Sequence, residues 1–181
     1  MNIINLEKYI FIEYLNEITK KKINKLKKVH LICSLKISNN EELKQFLQII
    51  NFSRKNQIPL YLINNYKIAI KYKIDGIFIT SDNKRILPAS IKNRLKIIGS
   101  AHNQREYFIK KNQYCKMISL SPLFYNNKYS ENKILNPLKF NLITSNWNVK
   151  CCALGGILES NWKKVQLTKA VAIGIKRFVY K

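Results

Sequence analysis

A chain of 181 residues, 46% hydrophobic and 11% aromatic with only five glycines, carries enough apolar material for one globular core and is neither disordered nor fibrous. Lys and Arg number 33 against 10 Asp and Glu, a formal net charge of +23, and such a field draws phosphorylated metabolites, nucleic acid or anionic lipid. No apolar run approaches the ~18 residues of a membrane helix, and Met1 to Leu6 lack the basic head and apolar stretch of a signal peptide, so a cytoplasmic location with no membrane partner is expected.

The lysines are spread along the chain, the densest runs being Lys20-Lys21-Lys22 and Lys27-Lys28, and a Lys-, Asn- and Ile-rich composition is also what AT-rich coding produces. No aromatic-interleaved recognition motif accompanies them, so no specific nucleic-acid partner is expected. Cys33, Cys115, Cys151 and Cys152 form no Cys-x-x-Cys pair and read as buried, reduced thiols. On a strand, Cys151 and Cys152 would face opposite sides.

Taken in chain order, β-rich and helical segments alternate throughout. Tyr9 to Leu15 reads as a strand, Glu17 to Lys28 as a basic helix, and Val29 to Leu35 as a second strand. Ser38 and Asn39 can cap the next helix, whose Leu43, Phe46, Leu47 and Ile50 recur at helical spacing. Strand Leu60 to Ile63 follows, then helix Tyr66 to Lys73, strand Gly76 to Thr80, helix Pro88 to Leu95 and strand Lys96 to Gly99. Asn103 to Lys111 reads as a helix, Met117 to Leu120 as a strand, Tyr125 to Asn136 as a long polar loop, Val149 to Leu154 as a strand, Ser160 to Val165 as a short helix and Ala170 to Ile173 as a last strand. The strands are almost wholly apolar, which suits a parallel sheet buried on both faces. About eight such units predict an α/β fold in which residues 1–181 make a single (β/α)8 TIM barrel, compact and with shortened helices, since the usual length is ~200–250 residues or more. A doubly wound open sheet is the alternative, although no Gly-x-Gly-x-x-Gly follows any strand.

Barrel sites lie at the strand C-termini. Here those positions hold Lys36, Asn64-Asn65, Ser81-Asp82-Asn83, Ser100-Ala101-His102, Ser121-Pro122 and Gly155-Gly156-Ile157. The glycine pair lets backbone N–H groups come close to an anion, or simply makes a tight strand-to-helix turn.

In order and at matching spacing, Pro59 to Asn65, Asp75-Gly76-Ile77-Phe78-Ile79, Ile97 to His102, Ser121-Pro122-Leu123-Phe124, and Ala153 to Ile157 with Asn161 resemble the signatures of the thiamine phosphate synthase/TenI family. The resemblance implies a TIM barrel acting in thiamine biosynthesis on phosphorylated thiazole and pyrimidine small molecules. It implies a transferase that joins hydroxymethylpyrimidine diphosphate to thiazole phosphate with Mg²⁺. By position, Gly155 and Gly156 would hold the thiazole phosphate, Ser100, Lys128 and Lys36 would meet the diphosphate, and Asn64 would orient the pyrimidine. Lys36 and Lys128 also fit ordinary solvated surface lysines.

The sequence departs from the family where metal and anion chemistry is concerned. Only Lys36 remains of an Arg- and Lys-bearing segment after the second strand, and the metal aspartates read Asn65 and Asn83, with Asp82 as the one neighbouring carboxylate and a weak metal candidate. Amides are poor Mg²⁺ ligands, so Mg²⁺ dependence is expected to be weak. His102 is retained, as in the thiazole tautomerase branch, and either transfers a proton or merely caps the following helix. His30, inside the second strand, is given no role. The overall pattern points first to a synthase with a degenerate metal site; the alternatives are a TenI-like tautomerase using His102 and a non-catalytic thiazole or thiamine phosphate binder. A homo-oligomer also stays open.

Overall fold

The computed structural model describes residues 5–125 and 133–176. Eight strands, β1 (Glu7–Ile12), β2 (Val29–Cys33), β3 (Leu60–Ile63), β4 (Gly76–Ile79), β5 (Lys96–Ala101), β6 (Met117–Leu120), β7 (Lys150–Leu154) and β8 (Ala172–Ile175), form a closed barrel in sequence order. Every neighbouring pair is parallel, and β1 closes on β8 from Glu7↔Ala172 to Ile10↔Ile175. The closure excludes the open sheet and puts all strand C-termini on one rim.

Connecting helices are α1 (Glu17–Asn24), α2 (Asn40–Lys55), α3 (Tyr66–Lys71), α4 (Gln104–Asn112), α5 (Asn136–Thr144) and α6 (Trp162–Val165). Most are short as expected, α3 having six residues and α6 four, while α2 runs to 16. Between β4 and β5 a 3₁₀ segment, Ala89–Asn93, stands where an α-helix was expected. Asparagines start four helices: Asn16, Asn39, Asn65 and Asn103 each accept a first-turn N–H, and Asn39 and Glu42 complete a reciprocal capping box. Helix α5 lies in a stretch given no element in the sequence reading. Its Leu138 and Leu142 face solvent while Phe140 and Thr144 are buried, which blurs the apolar period. Strand β8 lies two residues beyond its expected span, in the register set by pairing with β1.

Alternation along the strands divides the core in two. Ile10, Leu31, Leu62, Ile77, Ile97 and Ile118 point outward and pack beneath the helices. Tyr9, Phe11, Ile32, Tyr61, Phe78 and Ile98 fill the barrel interior. Cys151 joins the outer layer and Cys152 the inner one, as their adjacency required. All four cysteines are free and buried, and burial pushes the Cys115 and Cys152 thiols up to about 12. Among the described residues no helix is long and apolar enough to cross a membrane.

Gly76 opens β4 against the Tyr61 ring and the start of β5. A Cβ there would meet the Lys96 carbonyl oxygen and lie 2.6 Å from the Tyr61 ring. Gly76→Ala is therefore expected to lower stability by ~1–3 kcal/mol, the usual cost of overpacking. A urea titration that leaves the midpoint unchanged would show that this wall yields more than its contacts imply.

Candidate active site

Two loops meet at the rim after β3 and β4, and the Asn64 side chain ties them. Asn64 has a left-handed φ of 54°, a conformation asparagine tolerates better than most residues. Its Oδ1 accepts from Thr80 N–H (3.0 Å) and Asn83 Nδ2 (3.0 Å), and its Nδ2 donates to Thr80 Oγ1 (2.7 Å). Asn65 Oδ1 is engaged in capping α3 through Ile68 N–H (3.1 Å), and Asn83 Oδ1 accepts from Arg85 N–H (3.0 Å).

Behind this loop lies a buried polar pair that the sequence did not disclose. Lys110, fully buried on α4, donates to the Asn83 carbonyl (2.6 Å) and to Gln113 Oε1 (3.0 Å). Gln113 Nε2 in turn donates to the carbonyls of Asn83 (3.0 Å) and Arg85 (2.7 Å). Burial lowers the Lys110 pKa. In sequence, Lys110 is one of a Lys-Lys pair near a helix end and looks like a solvated lysine. Only the loop folded over it distinguishes it.

His102 follows β5 on the inward parity of Ile98 and Ser100. Its Nδ1 lies 2.7 Å from the Ser121 carbonyl oxygen and 3.3 Å from Ser121 Oγ, so the ring reaches across to the end of β6. The helix-capping contact at this position is made by the main chain, as His102 N–H donates to Glu106 Oε2 (2.7 Å). A proton on Nδ1 directed at a carbonyl leaves Nε2 as the basic nitrogen of the neutral ring. Ser121 precedes a cis peptide to Pro122.

The glycine pair sits beside the β6 loop. Phe124 N–H donates to the Gly155 carbonyl (3.1 Å), Leu123 N–H to the Leu154 carbonyl (2.9 Å), and Asn161 Nδ2 to the Gly156 carbonyl (2.7 Å). These bonds use carbonyls, and the amides of Gly156 and Ile157 take no part in them. Gly156 has φ 69°, and a Cβ on it would strike the Phe124 carbonyl and lie 2.6 Å from the Tyr125 oxygen. Its glycine is thus demanded by loop packing in its own right. Gly174 lies within β8 against Leu154, short of the rim.

Ser100 is buried in the barrel interior opposite Ser119, a second inward hydroxyl the sequence reading passed over. Lys36 is exposed, three residues past β2, outside the hydrogen-bonded cluster around Asn64. Lys128 lies outside the described residues. Another missed residue is Lys176, after β8, whose ammonium stands 4.8 Å from the centre of the Phe11 ring and so over the barrel interior.

Divalent metal does not fit this donor set. The oxygens of Asn64, Asn65 and Asn83 are each taken by N–H donors. Asp82 is exposed, with the Thr80 hydroxyl beside its carboxyl holding it below the usual range. Among the described residues no three His, Cys, Asp or Glu side chains converge.

A closed barrel of eight parallel strands with connecting helices defines a TIM-barrel protein. The chain belongs to the thiamine monophosphate synthase/TenI family, whose model matches residues 11–177. It is 28% identical to the thiamine-phosphate synthase of Prochlorococcus marinus subsp. pastoris over 132 residues, covering 68% of this chain and 36% of that protein. Against the thiamine-phosphate synthase of Staphylococcus haemolyticus it is 23% identical over 134 residues, covering 71% of this chain and 62% of the relative. The chain thus spans less than two thirds of either relative's length. In fold it is similar to thiamine phosphate pyrophosphorylase from Pyrococcus furiosus, with a TM-score of 0.74 and 14% identity over 97% of this chain and 88% of that one.

Gln113→Leu would strip the buried Lys110 ammonium of one acceptor and two loop carbonyls of a donor. The expected loss is ~2–3 kcal/mol in chemical denaturation, the scale of hydrogen bonds to charged groups. Wild-type stability in this variant would mean that the β4 loop does not depend on the pair.

Proposed function

We propose that this barrel acts in thiamine biosynthesis by binding a thiazole phosphate at its C-terminal rim and moving a proton on the thiazole through His102, without metal. The observation that carries the reading is the 2.7 Å contact between His102 Nδ1 and the Ser121 carbonyl, which aims a fixed tautomer along the inward side of β5. Nε2 would take a proton from one ring position, the imidazolium would be stabilised by the Ser121 carbonyl, and the same proton would return to another position. The product is an isomer, so no electron, water or leaving group is exchanged. The amides at Gly155 and Gly156 would hold the phosphate, with Ser100 donating its hydroxyl and Lys176 and Lys36 supplying positive charge. Asn64 would fix the neighbouring wall, made by the loops after β3 and β4.

The second reading is the coupling for which the curated relatives are named, thiazole phosphate with a pyrimidine diphosphate. It is favoured by those names and by Asp82, the one carboxylate beside the Asn64 network. Mg²⁺-dependent formation of thiamine phosphate that Asp82→Ala abolishes would establish it.

For the primary reading the test is solvent deuterium uptake into the thiazole precursor. His102→Gln should retain ligand binding and lose roughly a hundredfold or more in rate, since an amide cannot cycle a proton near neutral pH. Equal rates for the two proteins would remove His102 from the chemistry.

A further inference from the structure

Helix α4 turns Tyr107 and Lys110 inward, and Gln113 at its C-cap continues the same buried face. Core packing alone would select a different pattern: Phe108 is 52% exposed while Lys110 is fully buried. Gly99 in β5 makes room for the lysine stem, since a Cβ there would lie 3.1 Å from Lys110 Cδ. A methionine would fill that room without desolvating a charge. What the polar pair adds is a hold on one loop. Lys110 Nζ and Gln113 Nε2 both reach the Asn83 carbonyl, and the Asn83 side chain in turn donates to Asn64 Oδ1.

The other end of α4 holds His102. Asn103 caps the helix by accepting from Glu106 N–H at 3.0 Å. The Glu106 carboxylate accepts from His102 N–H through Oε2 (2.7 Å) and from Asn103 Nδ2 through Oε1 (3.3 Å). The main chain that carries the His102 ring and the loop after β4 are thus fastened to one helix of nine residues, about 13 Å long at the usual rise per residue. That helix is pinned from outside as well. Gln104 Oε1 accepts from Trp147 Nε1 at 2.7 Å, and the Trp147 ring stacks on Tyr107 with centroids 4.5 Å apart.

We propose that α4 is the positioning element of the C-terminal rim. Glu106 sets where His102 stands, and Lys110 with Gln113 sets where the Asn83–Asn64 wall stands beside it. Glu106 and Lys110 are positioning residues, each acting through the group it holds. The inference rests on the reading of His102 as the group that moves a proton.

The test compares two variants of the full chain. Lys110→Met with Gln113→Leu removes both members of the polar pair, so the fold should persist, whereas Gln113→Leu alone strands the ammonium. Amide hydrogen exchange at Thr80 and Arg85, whose N–H groups bond Asn64 and Asn83, should become roughly tenfold faster or more. The Ile98 and Ile118 amides in the strands should keep their wild-type rates. Half-saturation by thiazole phosphate should need about tenfold more ligand, with the saturated rate of deuterium uptake unchanged. Glu106→Ala should do the reverse: it should move the His102 ring resonances and lower the saturated rate about tenfold or more, leaving half-saturation unchanged. Glu106→Gln, whose amide oxygen can still accept from His102 N–H, should restore both. If the double variant unfolds, Lys110→Met alone serves in its place, with the same directions expected. A wild type without deuterium uptake would remove the proton-transfer reading, and the exchange rates and ring resonances would still decide whether α4 positions the rim. Wild-type exchange at Thr80 and Arg85 in the Lys110 variants, unmoved His102 resonances in Glu106→Ala, or affinity and rate falling together in either variant would overturn the proposal.

Discussion

Closure of β1 onto β8 is the constraint on which everything else rests. Once Glu7 pairs with Ala172 and the ring is complete, each strand's alternation sends one set of side chains inward and the other beneath the helices. Closure also sorts the chain by polarity of direction. Asn64, Thr80, His102, Ser121 and Gly155 come to one rim although they are spread over some half of the sequence. Residues that begin strands come to the other, where lysines predominate.

At the C-terminal rim, side-chain hydrogen bonds tie the loops after β3 and β4 together. A divalent ion organises a mouth by binding several carboxylates at once. Here the Asn64 amide satisfies three groups from the next loop, and Lys110 and Gln113 hold that loop's carbonyls from behind. The result is a neutral wall fixed before any ligand arrives, the arrangement that pre-organised sites use to avoid reorganisation during reaction. His102 follows the neighbouring strand β5, with one nitrogen committed to the Ser121 carbonyl.

Much of the fold was legible because the strands announce themselves. Leu60–Ile63 is a continuous apolar run between Pro59 and Asn64, Met117–Leu120 is interrupted only by Ser119, and the expected bounds of both match the structure. Strand β8 was placed two residues early because Ala170 and Val171 are as apolar as the strand itself, and only pairing with β1 sets the register. Helix α5 was invisible because Leu138 and Leu142 point to solvent. The rim residues could be nominated from their positions after strands. The contacts between them could not: His102 to Ser121 spans 19 residues and Lys110 to Asn83 spans 27. A buried lysine carries no local mark in a chain with 33 basic residues. The glycine pair shows the opposite limit, since Gly156 is required by the Phe124 backbone whether or not a phosphate binds.

The central claim is that this rim holds its ligand through amides, hydroxyls and lysines alone. Calorimetric titration with thiazole phosphate, once in excess chelator and once with Mg²⁺, tests it most directly. The account predicts the same affinity in both. Binding that appears only when Mg²⁺ is supplied would contradict it.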